Sequence, residues 1–252
     1  MKQSIWTTSF TASSFLVDSA RKLSLYGLLS LMQETAWSHA SHLGHGFAET
    51  RATGESWVVA RQRVEMEQWP DWGQEVVVRT WLRPPGAVLV TRDFEFLVDG
   101  TSMGRASAHW LTIDHNTRRP TRIPFPDDPS YFRHEGHLDT DPMKLPPRDD
   151  LQKQAEFRVR TSDLDMNGHV NNTRFSQWIL DSLPQELHSR FHLRSYQVNF
   201  LAEARPGDDI AVEGLPLHQL TLNRKAPFQG RRVGDGKILF TAQLWAGRNH
   251  GS

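Results

Sequence analysis

Asp163-Leu164-Asp165-Met166-Asn167-Gly168-His169-Val170-Asn171-Asn172 packs two carboxylates, three amides and an imidazole into one short run. Phe175, Trp178, Ile179 and Leu183 follow at helical spacing, and Pro184 ends the pattern. The polar groups therefore fall in a loop and at a helix N-terminus. There, unpaired backbone N–H groups and the positive end of the helix dipole favour a negative or polarised oxygen. Upstream, Phe157-Arg158-Val159-Arg160 alternates apolar and charged residues and reads as a strand. Strand, polar loop and amphipathic helix form the unit from which the rest of the chain is read.

The same run imitates the opening of a calcium loop through Asp163, Asp165, Asn167, Gly168 and Val170. A calcium loop needs a bidentate Glu at its twelfth position. Arg174 stands there, and a strand replaces the incoming helix. We expect no metal and no cofactor, and a loop that works on a carbonyl instead.

The unit occurs twice. Phe15-Leu16-Val17 precedes a run in which Leu28, Met32, Ala36, Trp37, Ala40 and Leu43 recur at helical spacing, closed by Gly44. Gly73-Gln74-Glu75-Val76-Val77-Val78 is echoed by Gly207-Asp208-Asp209-Ile210-Ala211-Val212, and a strand ending at Trp110 by one ending at Trp245. In the first half, strands are expected at 57–67, 75–82, 87–97 and 102–113; in the second, at 195–201, 209–213, 219–224 and 237–246. One helix against one antiparallel sheet, repeated, is an α+β plan. We divide the chain into modules 1–126 and 154–252, with a Pro-, Asp- and His-rich linker at 127–153 crossing the surface. Aligned on the Phe echo, Asp165, Asn167 and His169 fall opposite Leu23, Leu25 and Gly27. Only the second module then carries the polar cluster.

The bulk properties narrow the classes of function. With 252 residues, nine Trp and thirteen Phe, the chain can bury a substantial core. Its formal net charge of zero gives no general pull toward nucleic acid or membrane. It has no cysteine, so disulfides, thiolate metal sites and a cysteine nucleophile are excluded. No stretch approaches the roughly 20 apolar residues of a membrane span. The opening residues have no apolar signal core, and we expect a cytoplasmic protein.

Three segments in order resemble the acyl-[acyl carrier protein] thioesterases of plants and bacteria: Trp57-Val58-Val59-Ala60-Arg61, then Gly104 to Pro124, then Asp163 to Pro184. The resemblance implies a tandem double hotdog fold, two long central helices wrapped by a continuous antiparallel β-sheet. It implies hydrolysis of fatty acyl-[acyl carrier protein], releasing free fatty acid. Asp165, Asn167 and His169 match the family's motif, and Glu203 its downstream acid. Many plant members have a Cys after that acid; here it is Ala204. The expected partner is acyl carrier protein bearing a phosphopantetheine-linked acyl chain, and the family also admits a homodimer. The rival readings are an acyl-CoA thioesterase on the same fold and an acyl-thioester-binding protein without catalysis.

Thioester hydrolysis needs a water, a base and donors for the oxyanion. We expect Glu203 and His169 to activate the water, Asp165 to orient His169 or Asn167, and Asn167 with backbone N–H groups to polarise the carbonyl. Asn171 and Asn172 read as helix-capping residues within reach of substrate, and Asp163 as a cap. The resemblance places the acyl slot in the first module, with Met32 and Trp57 as lining candidates. An acidic carrier calls for cations, for which Arg118, Arg119, Arg122, Arg224 and Lys225 are the candidates, with Arg231 and Arg232 beside them.

Overall fold

The computed structural model describes residues 3–86, 88–121, 128–136, 138–221 and 223–248. The chain divides into two compact units, Met1–Pro142 and Met143–Ser252.

In the first unit, strands Ile5–Thr11 (β1), Glu55–Met66 (β2), Glu75–Leu82 (β3), Val90–Val98 (β4) and Thr101–Asp114 (β5) form an antiparallel sheet ordered β1-β3-β4-β5-β2. Helix Leu25–His42 (α1) and the short Phe47–Ala52 (α2) lie between β1 and β2 in the chain. Ser24 caps α1, its hydroxyl oxygen accepting from the Gly27 N–H at 3.0 Å. Gly44, at φ +80°, follows the Leu43 C-cap, a backbone state glycine adopts at no steric cost. Leu25, Leu28, Leu29, Leu31, Met32 and Ala36 are buried on α1. Each large apolar side chain removed from water there stabilises the fold by about 1.5–3 kcal/mol.

The second unit repeats the plan. Strands Gln152–Arg158 (β6), Phe191–Phe200 (β7), Asp209–Gly214 (β8), Lys225–Arg232 (β9) and Ile238–Arg248 (β10) are ordered β6-β8-β9-β10-β7, again antiparallel. Asn172–Asp181 (α3) and Gln185–Arg190 (α4) take the places of α1 and α2. Phe175 on α3 packs against Trp178, Phe200 and Phe240 at ring separations of 5.0–5.9 Å, anchoring the helix to β7 and β10.

Two strand positions differ from expectation. The first strand is β1, not the run around Phe15, whose ring is 88% exposed in a turn. The strand expected at 219–224 is displaced to β9, with a 3-10 turn at Leu217–Gln219. Pro227 hid it, because a proline cannot donate to a sheet ladder. No ladder bond toward β8 is lost there, since β9 pairs with β8 only from Phe228 onward. Gly230 is equally required, since a Cβ there would lie 2.0 Å from the Phe240 ring.

The segment before β6 is held to the second unit by buried polar side chains. Gln229 accepts from the Arg148 N–H at 3.0 Å and donates to its carbonyl at 2.9 Å. Thr241 donates to the Leu145 carbonyl and Gln197 to that of Met143. In the first unit, buried Asp93 accepts from Arg83 and Ser107, and Ser107 bonds Thr140. Because these groups are buried, their bonds answer a desolvation cost and fix the segment's path.

Candidate active site

The polar run folds as a closed turn. The Asp165 N–H donates to the His169 carbonyl at 2.8 Å, and the Gly168 N–H to the Asp165 carbonyl at 3.0 Å. Leu164 and Val170 bridge beneath it, and Gly168 supplies the left-handed backbone at φ +76°. The Asp165 carboxylate braces the inside: Oδ1 accepts from the backbone N–H groups of Asn167 (2.8 Å) and His169 (3.3 Å). Its Oδ2 faces the Asn167 amide nitrogen at 3.4 Å. Met166 stands at the tip, 68% exposed.

Helix α3 begins directly after this turn. Asn171 is its N-cap, accepting from Thr173 through both the backbone N–H (3.0 Å) and the hydroxyl (2.9 Å), and Asn172 is its first residue. Asp163 accepts from the Arg160 N–H at 2.8 Å and lies 3.7 Å from the Arg174 guanidinium, so it ties down the loop entrance.

Glu203 arrives from the segment after β7. The Leu201 and Ala202 N–H groups both bond the Leu239 carbonyl, and the Ala204 carbonyl accepts from the Val170 N–H at 3.2 Å. This brings the Glu203 carboxylate within 3.5 Å of His169 Nε2, with both side chains about one-third exposed. The Arg205 guanidinium lies 4.0 Å from the same carboxylate on an open side, 71% exposed. Water and salt screen a cation placed there. The fold places Asp165, Asn167 and His169 in one turn and sets Glu203 beside His169. Arg205, placed beside Glu203, escaped the reading; its signal was a cation two residues after the acid.

The first unit contains the same turn without the amide and the imidazole. The Asp18 N–H bonds the Lys22 carbonyl at 2.8 Å, and the Arg21 N–H bonds the Asp18 carbonyl at 3.0 Å. Asp18 Oδ1 accepts from the N–H groups of Ala20 (2.9 Å) and Lys22 (3.1 Å). Val17 and Leu23 bridge beneath, and Ser24, the α1 cap, sits where Asn171 does. The residues opposite Asp165, Asn167 and His169 are therefore Asp18, Ala20 and Lys22, not Leu23, Leu25 and Gly27. The Phe echo misled because it aligned the exposed Phe15 with Phe157, whereas the strand residue in that place is Phe10. Hydrogen bonds also match Trp69 with Glu203: Glu67 and Gln68 share the Met103 carbonyl, and the Leu23 N–H bonds that of Pro70.

The other candidates scatter. Met32 is buried on α1, its sulfur 3.6 Å from the Gln62 amide, and Trp57 packs with Trp110 against Leu43, Leu82, Val90, Tyr131 and Phe132. Arg118 and Arg119 lie exposed in the turn after β5, while Arg122 falls outside the described residues. Arg224 and Lys225 are exposed at the start of β9. Arg232 ends that strand beside Glu203, so Lys225 is roughly 23 Å away along it. Arg231 is engaged by Glu213, and Arg232 by Asp208 and Asp235. Among the described residues, no cluster of His, Asp or Glu is placed to hold a metal ion.

Residues 3–128 match the family model of the acyl-ACP thioesterase N-terminal domain, and residues 147–229 that of the C-terminal domain. The chain belongs to the acyl-ACP thioesterase family. It is 32% identical over 230 residues to a chloroplastic palmitoyl-acyl carrier protein thioesterase of Arabidopsis thaliana, covering 84% of this chain and 54% of that protein. An oleoyl-acyl carrier protein thioesterase of the same plant is 29% identical over 220 residues, covering 79% and 60%. The chain thus spans a little over half the length of these curated relatives. An acyl-ACP thioesterase of Bacteroides thetaiotaomicron superposes with a TM-score of 0.88 at 26% identity, covering 96% of this chain and 98% of that one. The 12:0-ACP thioesterase of Umbellularia californica shares the fold, with a TM-score of 0.83 at 22% identity over 99% of both chains. The fold is the double hotdog of this acyl-ACP thioesterase family. No helix among the described residues is long and apolar enough to cross a membrane.

Proposed function

We propose that this chain hydrolyses the thioester of a fatty acyl chain carried on acyl carrier protein. The observation that carries the reading is the 3.5 Å approach of His169 Nε2 to the Glu203 carboxylate, in the one unit whose turn bears Asn and His. A water held by these two groups loses a proton to Glu203 as its oxygen attacks the carbonyl carbon. The Asn167 amide N–H, in an exposed position, donates to the oxyanion that forms. Collapse of the tetrahedral intermediate breaks the carbon–sulfur bond, and the thiolate takes up the proton, leaving a carboxylic acid and a free thiol. General-base help of this kind contributes about 10²–10⁴-fold, and one oxyanion donor about 10²–10³-fold. Ala204 has no nucleophile to offer, so no acyl-enzyme passes through that position. On the same reading, the apolar interior of the first unit, Met32 and Trp57 included, takes the acyl chain, and the exposed cations steer an acidic carrier.

Incubation with a series of acyl-ACP and acyl-CoA substrates, followed by mass spectrometry of released fatty acid, tests the proposal. Faster release from acyl-ACP than from the matching acyl-CoA is expected. Faster release from acyl-CoA would reassign the substrate, and no release by the folded protein from any of them would leave only thioester binding.

A further inference from the structure

We propose that Arg232 is the positioning residue for Glu203, an inference that rests on the hydrolytic reading above. Arg232 is the last residue of β9, and its side chain is mostly covered. Each guanidinium nitrogen has one partner. One terminal nitrogen donates to the Glu203 backbone carbonyl at 2.6 Å, the other to Asp235 at 2.9 Å, and Nε to Asp208 at 3.0 Å. Asp208 also accepts from the Arg205 N–H at 2.9 Å, closing the segment that carries Glu203. Two carboxylates offset the cation, and it grips Glu203 by the peptide oxygen. Arg232 therefore sets where the Glu203 main chain sits and leaves the carboxylate to face His169.

The first unit supplies the internal control. Around Trp69 it repeats the backbone bonds that flank Glu203, but not this clamp. Val98, buried, ends β4 where Arg232 ends β9. Gln74 stands where Asp208 does, its neutral side chain accepting from the Asp71 N–H at 2.7 Å. Val98 and Thr101 close a two-residue Asp99-Gly100 hairpin, whereas 233–236 form a longer turn that brings in Asp235. The segment folds without an arginine clamp when an apolar residue occupies it. The arginine and its two acids are present only where a reacting carboxylate has to be aimed. A planar guanidinium holding three fixed oxygens suits that task better than a flexible ammonium.

The test is steady-state kinetics of the full chain on acyl-ACP. Misplacing a reacting group by about 1 Å can cost on the order of 10²-fold. Arg232→Ala is expected to lower kcat by about 10–100-fold with KM within about 3-fold, and Arg232→Lys to recover part of the loss. In a Glu203→Gln background, adding Arg232→Ala is expected to change the residual rate by less than about 2-fold, because residues acting as a unit are not additive. Should Arg232→Ala fail to fold, Asp235→Asn serves, with a fall of about 2–5-fold in kcat expected only when Glu203 is intact. An equal factor in both backgrounds, or a wild-type kcat, overturns the positioning role. A wild-type rate in Glu203→Gln alone instead overturns the hydrolytic assignment, whatever Arg232 does.

Discussion

In the turn before α1, the Asp18 carboxylate holds the N–H groups of Ala20 and Lys22; in the turn before α3, the Asp165 carboxylate holds those of Asn167 and His169. The two are built alike, down to a left-handed residue at the same step, Arg21 at φ 60° and Gly168 at φ 76°. What separates them is cargo. Lys22 reaches an exposed Asp71 at 2.6 Å, a solvated surface pair that contributes little to stability. His169 reaches Glu203. An acid present in both units, one without the amide and imidazole, is explained by the turn it folds. The proposed hydrolysis rests on the residues that differ.

The comparison can be broken most directly through its histidine and its acid. His169→Ala and Glu203→Ala are each expected to lower turnover on acyl-ACP by about 10²–10⁴-fold. Lys22→Ala is expected to leave it within about 2-fold, a surface substitution. Trp69→Ala is expected to lower stability by about 3–5 kcal/mol, read as a denaturant midpoint, by opening a cavity. A turnover loss in Lys22→Ala equal to that in His169→Ala would erase the distinction between the units.

The paired acids sharpen it. Asp18→Ala and Asp165→Ala each remove the brace of a turn, and each is expected to destabilise by about 1 kcal/mol. Only Asp165→Ala is expected also to lower kcat, by about 10–100-fold, because it releases the backbone of Asn167 and His169. Matched melting curves and kinetics of the two variants check this, and equal kcat values would deny Asp165 any part in aiming the site.

The two units also use histidine in opposite ways. His39 on α1 is wholly buried: Arg92 donates to its Nδ1 at 2.9 Å, and its Nε2 bonds the Gln3 carbonyl at 2.9 Å. Burial, reinforced by Arg92, pulls its pKa from 6.5 down to about 3. The folded value lies below the unfolded one, so as pH falls the unfolded chain binds the proton first. The stabilisation is full above 6.5 and is lost progressively between 6.5 and 3. About 2 kcal/mol should disappear between pH 6.5 and 5 from this group alone. Denaturant titrations of the protein and of His39→Gln across that range should show a shallower slope in the variant. An unchanged slope would mean that His39 does not carry the dependence.

The smallest effect concerns the left-handed step. Arg21→Gly relieves a side chain in that region and is expected to stabilise by up to about 1 kcal/mol, while Gly168→Ala is expected to destabilise by a similar amount. Melting temperatures moving in the opposite directions would mean that the two steps are not equivalent.

Much of this was legible in the residues. Helical spacing placed α1, and the Gly73 and Gly207 echo placed β3 and β8, because strong periodic segments declare themselves. The Asp165–Asn167–His169 cluster stood out because polar residues that cost helix and strand stability had gathered at one helix start. The first unit's copy of the turn was obscured, since Asp18-Ser19-Ala20-Arg21-Lys22 shares only its acid with Asp165-Met166-Asn167-Gly168-His169. Its identity lies in backbone hydrogen bonds, which sequence alignment does not see. Arg232 was taken for a surface cation for the same reason: Asp208 meets it only once β8 and β9 are paired, and Asp235 only once the turn from β9 into β10 has formed.

Met166 stands exposed at the tip of the Asp165–His169 turn, in a chain that has no sulfhydryl of its own. A thiol placed there would be a unique attachment point for a fluorophore, one residue from the amide of Asn167. Such a label would report arrival and departure of the proposed carrier in real time, with no background labelling to subtract.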